Sequence, residues 1–562
     1  MSEKVYIDNL EFHQEFENHL LLDGVKFHVE NNTIRTKDFE FTFSPEFSGA
    51  ISKFSPFQNA LIHGKNTVLG ITALEVVDDE EDTFVQIWFK DGSSKKLPYK
   101  RWVLIDKQVD MLCKPLEGEN VFKYIRYFSS KTEIEEFCGR YRKSRKIFRL
   151  WNDREAAMAL HGIGLFKGLG LEDVSVLGFD IEAAGLTHDE DSEVFLITNV
   201  LKKGGVYIEK HFRLDEWKNS AEMIDAWCAW VRENDPDVLC PWNGFGYDLP
   251  YLEHVAKMGK TKLSLGRDGS KVEFKKKPSE KRVDGSTSWT YHKAHIFGRH
   301  IVDGMFLAVT YDVFRKYPTW RLKDIAAFEG LHKPDRTFVD ASKIAQYWLD
   351  PVMRENVVKY GIDDSYDSIK LFELMIPAFF YTAQSVAKPF EEMMQGATGA
   401  WINSIMVRSY LQQGETIPEA DEPVYVKGGM SYGIPGVYSN VAKWDVVSMY
   451  PSIILEHGLY PVKKDPRKYF LQLMLHFTEQ RLEQKAKFKT TGIKIYDDLQ
   501  GASKIFINSG FGAMGTPGLN FNDFSVANAI TRHGRNTLKL AIEWATGKKV
   551  TEWWTEYSEE GD

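Results

Sequence analysis

Cysteine is scarce in this chain: four in 562 residues, Cys113, Cys138, Cys228 and Cys240, with no C-x-x-C pair. That excludes a disulfide framework and offers no zinc-finger spacing, so free thiols in a reducing compartment are expected. No apolar run approaches the ~18 residues that a membrane helix needs. The first residues, MSEKVYIDNLEF, lack a basic-then-apolar leader, so no signal peptide is expected. These absences point to a soluble, cytoplasmic protein. Positive charge is also short: 71 Lys plus Arg against 80 Asp plus Glu give a net charge of −9. This excludes a uniformly basic nucleic-acid coat, but not a nucleic-acid enzyme, because steering depends on where charges sit. No internal repeat or low-complexity tract is present.

Apolar residues make up 43% and charged residues 27%, a globular composition, and the length calls for several domains. The aromatic content of 14%, with 15 Trp, suits large cores or a surface on which bases stack. The first ~110 residues read as short strands with turns, including a hairpin over 85–105 turning at Asp91-Gly92. The acidic run 78–82 reads as a solvated loop, and 132–160 as helical. A buried strand over 174–185, a hairpin over 197–212 turning at Gly204-Gly205, a helix over 216–233 and a strand over 237–243 predict a mixed α/β domain. Residues 257–300 carry 12 basic and 4 acidic side chains. The basic hairpin within them, holding Lys275, Lys276 and Lys277, is either a solvated loop or a contact to a DNA backbone. Helices are predicted over 343–376, 383–413, 466–489, from about 501, and over 519–546, with strands and turns over 424–456.

Asp180 and Glu182 stand at i and i+2 of a strand and so share one face. Two carboxylates there repel each other unless a cation lies between them, and Mg²⁺ or Mn²⁺ prefers such oxygen ligands. In NDPDVLCPWNGFGYDLPYL (234–252), Asp248 adjoins an inward-packing Leu-Pro-Tyr-Leu run, while Asn243 is equally a site residue or a turn former. Tyr360 and Asp364 are i and i+4 on one helix face; Asp363 and Asp367 read as solvent acids. The order FDIE, NxxxYD, YxxxD resembles motifs I to III of the DnaQ-like 3′–5′ exonucleases. The wording of 234–252 resembles the proofreading domain of family B DNA polymerases, with Tyr247 where that family has Phe. The resemblance implies that Asp180, Glu182, Asp248 and Asp364 hold two metal ions and that Tyr360 helps position the attacking water. Two-metal phosphodiester hydrolysis calls for such a set of acids.

KWDVVSMYPSIILEHGLYP (443–461) resembles motif A of the same polymerases. Asp445 can bind metal at a strand end. The turn through Ser448 and Met449 can meet a triphosphate, and Tyr450, alone merely a packing aromatic, would exclude a 2′-OH. SKIFINSGFGAMGTP (503–517) resembles motif B, with Phe511 for the family's Tyr. Lys504, Asn508 and Phe511 share a helix face, and Gly512 permits close approach of a base pair. Arg481 and Lys485 resemble the phosphate-binding pair of the fingers; 461–510 carries 10 basic and 5 acidic residues. Gly428 and Gly429 resemble the segment where a template backbone approaches, and also suit a hairpin turn.

No DTD motif, the second palm acid of this family, occurs in the sequence. The resemblance therefore implies the larger part of a phage replicative polymerase of T-even-like type, split or truncated, acting in the host cytoplasm. A partner chain would supply motif C, thumb and sliding-clamp contact. The expected fold is α/β and α+β multidomain, an RNase H-like exonuclease with partial palm and helical fingers. Its expected parts are an N-terminal domain (1–170, with part of 371–415), exonuclease (171–370), palm (416–465), fingers (466–515) and continuing palm (516–562). Expected ligands are primer-template and single-stranded DNA, dNTPs and Mg²⁺ or Mn²⁺, with no membrane. A stand-alone exonuclease and a non-catalytic DNA-binding replisome subunit are the alternatives. Trp553 and Trp554 would dock a partner or the chain's own palm.

Overall fold

The computed structural model describes residues 59–549 except 80, 81, 285, 314 and 432–435, together with six short strands between residues 4 and 42. Trp553, Trp554 and the middle of the 78–82 acidic run lie outside the described residues.

The element that positions everything else is a five-stranded sheet ordered Val206–Arg213, Val194–Lys203, Val176–Ala183, Val238–Leu239, His300–Ile301. The first three strands run antiparallel, turning at Gly204 and Gly205, both at positive φ, and the last two join in parallel. The central strand VLGFDIEA is covered on both faces, which is why its apolar residues run almost without alternation. One face takes the helix Ser220–Asn234, whose Trp227 donates to Asn199 Oδ1 at 2.8 Å and packs against Phe179.

The other face takes the helix Pro351–Met375. Two glycines allow this approach: a Cβ on Gly178 would lie 2.7 Å from the Ser365 carbonyl oxygen, and one on Gly361 would lie 2.9 Å from Thr198 Cγ2. Thr198 fixes the docking by donating to the Gly361 carbonyl at 2.8 Å, with Ser365 Oγ at 2.9 Å. Helix and strand are thus close enough for their acids to meet.

Before this domain lie a three-stranded and a four-stranded sheet; the 85–105 hairpin is Thr83–Phe89 with Ser94–Pro98. Residues 132–160 are not one helix. The helices Lys131–Tyr141 and Asp153–His161 flank a strand, Ile147–Phe148, that pairs with Arg101–Ile105. A charged seam joins this part to the rest. Arg154 pairs with Glu391 at 2.5 Å and Lys388 with Glu155 at 2.6 Å. His300 lies between Glu391 and the Thr72 carbonyl, at 2.8 Å from each.

The last third is built on the helices Tyr469–Thr491 and Lys494–Gly515, joined by Phe477 on Phe506, followed by Phe524–Thr546. The strands predicted over 424–456 are absent among the described residues: 424–431 and 436–447 lie in no strand or helix and are mostly exposed, and Met449–Glu456 is helical. The run around Trp444 has strand-forming residues, but among the described residues no strand pairs with it, and an extended segment needs partners for its N–H and C=O groups. Among the described residues no helix is long and apolar enough to cross a membrane.

Candidate active site

Ligand oxygens of Asp180, Glu182 and Asp364 lie within 4.8 Å of one another. The two strand residues face Thr198 and Leu196 across the sheet, and Asp364 comes from the docked helix. Asp248, buried at the first turn of Asp248–Met258, lies outside that group but near enough for its charge to act on Asp180. Burial, then the Glu182, Asp364 and Asp248 charges, raise the Asp180 carboxyl well above its ordinary value. Glu182 is raised by burial and then by Asp364, and burial pushes Asp248 up to about 7. Acids that resist ionising together, Asp180 half-buried and the others buried, all offer oxygen and fit a hard divalent cation.

Tyr360 lies one turn before Asp364 on the same helix. Its hydroxyl is hydrogen-bonded to Lys323, whose ammonium sits over the Tyr360 ring at 4.0 Å and 3.5 Å from Asp364 Oδ2. Lys323, on the helix Leu322–Phe328, was not singled out from sequence, and one lysine among many carries no signal there. Asp303 was also missed. It caps the helix Gly304–Tyr311 and accepts from Asn243 N at 3.2 Å and Phe245 N at 3.1 Å, shaping the loop that leads to Asp248. An Asp-Gly before an apolar helix was the available cue. Burial raises its carboxyl to about 6 against these N–H donors. Asn243, at φ 62, makes a turn in that loop, and Tyr247 donates to the Gly185 carbonyl at 2.8 Å.

The reading of Asp363 and Asp367 as solvent acids is overturned, since both are buried. Asp363 accepts from Thr337 N at 2.8 Å. Asp367 lies 3.1 Å from Arg336 and 3.0 Å from His332. Arg336 also pairs with Asp364.

The second constellation is more open. Asp445 is exposed before Ser448, and among the described residues it belongs to no group of three or more side chains placed to share a metal ion. Ser448, at φ 50, bonds through Oγ to Arg481, and Met449 opens the helix that follows. The Tyr450 ring meets Phe511 at 5.3 Å and packs on Gly534. Lys504 and Asn508 are exposed along the helix face of Phe511; Lys485 is exposed one turn past Arg481. Gly512 serves a packing role: a Cβ on Gly399 would lie 2.7 Å from the Gly512 carbonyl carbon, so two helices cross there. Gly428 and Gly429 are exposed; a Cβ on Gly429 would lie 3.4 Å from the Tyr450 hydroxyl. Lys275, Lys276 and Lys277 are exposed. Lys275 lines a cavity of about 750 Å³ shared with Trp151, Arg149 and Asn520.

The fold is that of the family B DNA polymerases, with a stretch that matches their exonuclease domain. Residues 165–325 match the family model described as DNA polymerase family B, exonuclease domain. The family B DNA polymerase structure from Pyrobaculum calidifontis is similar over 85% of this chain and 72% of that one, with a TM-score of 0.68 and 19% identity. DNA polymerase 2 of Aeropyrum pernix is 24% identical over 410 residues, 67% of this chain and 49% of that protein. The DNA polymerase of Thermococcus sp. (strain 9oN-7) is 24% identical over 508 residues, 81% and 62%. The chain thus spans about half the length of the first of these curated relatives. These relatives are archaeal, whereas the motifs had suggested a phage, T-even-like type.

Proposed function

We propose that the chain removes nucleotides from the 3′ end of DNA. The observation that carries this is the meeting of Asp180, Glu182 and Asp364 within 4.8 Å, the first two inside the stretch 165–325 that matches the family B exonuclease model and the third on the helix docked against it. Asp180, Glu182, Asp248 and Asp364 would hold two divalent ions, Mg²⁺ or Mn²⁺. Bound there, the ions would supply Lewis acidity at the scissile phosphate and lower the pKa of water. Tyr360, its hydroxyl set by Lys323, positions the water that adds to phosphorus. The bond from phosphorus to the preceding 3′-oxygen breaks, and a nucleoside 5′-monophosphate leaves. Asp303 holds the loop before Asp248 in register. Release of mononucleotide from a 3′-labelled single strand in Mg²⁺ or Mn²⁺ tests this. The Asp180→Ala, Glu182→Ala double variant must abolish the release, and retained release defeats the proposal.

A second reading, template-directed dNTP addition on primer-template DNA, is favoured by the Ser448–Arg481 bond and the Tyr450–Phe511 contact. These bring the motif A turn onto the helix pair that carries Lys504 and Asn508. Two-metal transfer needs a second carboxylate beside Asp445. We propose that it, the duplex grip and any sliding-clamp contact come from outside these 562 residues, on the same polypeptide or a second chain. These residues alone should then fail to extend a primer, and clean extension by them would refute the dependence. Loss of nucleolysis as well would leave a DNA-binding subunit without catalysis.

A further inference from the structure

The helix Pro351–Met375 buries three acids, Asp363, Asp364 and Asp367, where segment 332–338 passes over it, and each is engaged by that segment. Thr337 N–H donates to Asp363 at 2.8 Å. Arg336 Nη2 donates to Asp364 Oδ1 and lies 3.1 Å from Asp367 Oδ2, which also faces His332 Nδ1 at 3.0 Å. The Arg336 side chain is 2% exposed, and its guanidinium lies over the Phe338 ring at 5.1 Å. It therefore does not reach a DNA strand, and its influence passes through the carboxylate it holds.

A carboxylate on a helix can turn about its last torsion, and a metal site needs one of its oxygens in place. Arg336 binds Oδ1, while Oδ2 faces Lys323 at 3.5 Å. A lone guanidinium so close to the acids would repel a divalent cation. Asp367 supplies the compensating negative charge, and with His332 it fixes where the guanidinium stands. We propose that Arg336 is a positioning residue: it orients Asp364 for metal binding, and Asp367 holds and neutralises it. This rests on the exonuclease reading above.

The test uses the full chain, freed of metal and titrated with Mn²⁺ alone by calorimetry, alongside kcat and KM for 3′ nucleotide release. The Arg336→Met, Asp367→Asn double variant keeps the formal charge of the Arg336–Asp367 pair and removes the donor to Asp364. Mn²⁺ affinity and kcat should each fall roughly tenfold or more, with KM for the oligonucleotide unchanged. Asp367→Asn alone leaves the Arg336–Asp364 bond but strips the guanidinium of its counter-charge, so Mn²⁺ affinity should fall, though by less than in the double variant. Parent-like Mn²⁺ binding in the double variant, or equal losses in both variants, would overturn the proposal. If the double variant does not fold, Arg336→Lys decides. A point donor cannot bridge both acids, so Mn²⁺ affinity should drop, and parent-like affinity overturns the idea. A parent chain that neither binds Mn²⁺ nor degrades DNA would instead defeat the exonuclease reading itself.

Discussion

Asp303 offers the sharpest perturbation outside the acids themselves. Its Oδ1 accepts from Met305 N at 3.0 Å, Phe306 N at 3.5 Å and Asn243 N at 3.2 Å, and its Oδ2 from Phe245 N at 3.1 Å. Asp303→Ala removes a helix cap, about 1 kcal/mol, and orphans two loop N–H groups at about 1–3 kcal/mol each, so the loop should lose about 4 kcal/mol. Asp303→Asn retains one oxygen but sets an N–H₂ against the Phe245 N–H, which costs about 2 kcal/mol. Hydrogen exchange in a peptide spanning 241–250 reads this directly. At 1.4 kcal/mol per tenfold, protection should fall by about three orders of magnitude in the Ala variant and by one to two in the Asn variant. Nucleotide release should follow the same order, because the loop ends at Asp248. Parent-like protection in Asp303→Ala, or greater damage from Asn than from Ala, would refute the reasoning.

Other outcomes follow from the same geometry. Lys323→Ala removes the cation over the Tyr360 ring and should lower kcat about 10–100-fold while DNA binding without metal, read by fluorescence anisotropy, stays intact. Gly178→Ala places a methyl 2.7 Å from the Ser365 carbonyl oxygen. It should destabilise the domain by about 1–3 kcal/mol in denaturant titration and cut nucleolysis further by moving Asp364 off the sheet. At Glu391, burial opposes ionisation, yet Arg154 and His300 beside it hold the carboxyl well below its ordinary 4.5. The folded value lies below the unfolded one, so this stabilisation is present above pH 4.5 and drains away as pH falls below it. Glu391→Gln should be less stable at neutral pH but show a flatter acid limb in thermal unfolding.

The clustering of Asp180 and Glu182, and the pairing of Tyr360 with Asp364, were legible because local geometry does most of the positioning. A period of two on a strand pairs Asp180 with Glu182, and a helical turn pairs Tyr360 with Asp364. What could not be read was tertiary. Asp363 and Asp367 look like solvent acids until segment 332–338 folds over them, and no periodicity announces that the Arg336 charge lands there. Gly178 and Gly361 carry the sheet–helix approach, but a glycine in sequence does not say what comes near it. The opposite error occurred around Asp445. Its apolar, β-branched neighbours predict a strand, yet among the described residues no strand lies alongside, so local propensity finds no ladder to join. Helix limits over 132–160 failed similarly, because pairing with Arg101–Ile105 claims Ile147 and Phe148 for a sheet.

The central claim is directional hydrolysis at the Asp180, Glu182, Asp248 and Asp364 site. A 5′-labelled single-stranded oligonucleotide, incubated with the purified chain and Mg²⁺ or Mn²⁺ and resolved at single-nucleotide steps, tests it most directly. The account predicts a ladder shortening progressively from the 3′ end, abolished by chelator and by Asp180→Ala with Glu182→Ala. An unchanged substrate, immediate release of the labelled 5′ nucleotide, or a ladder that survives in the double variant would contradict it.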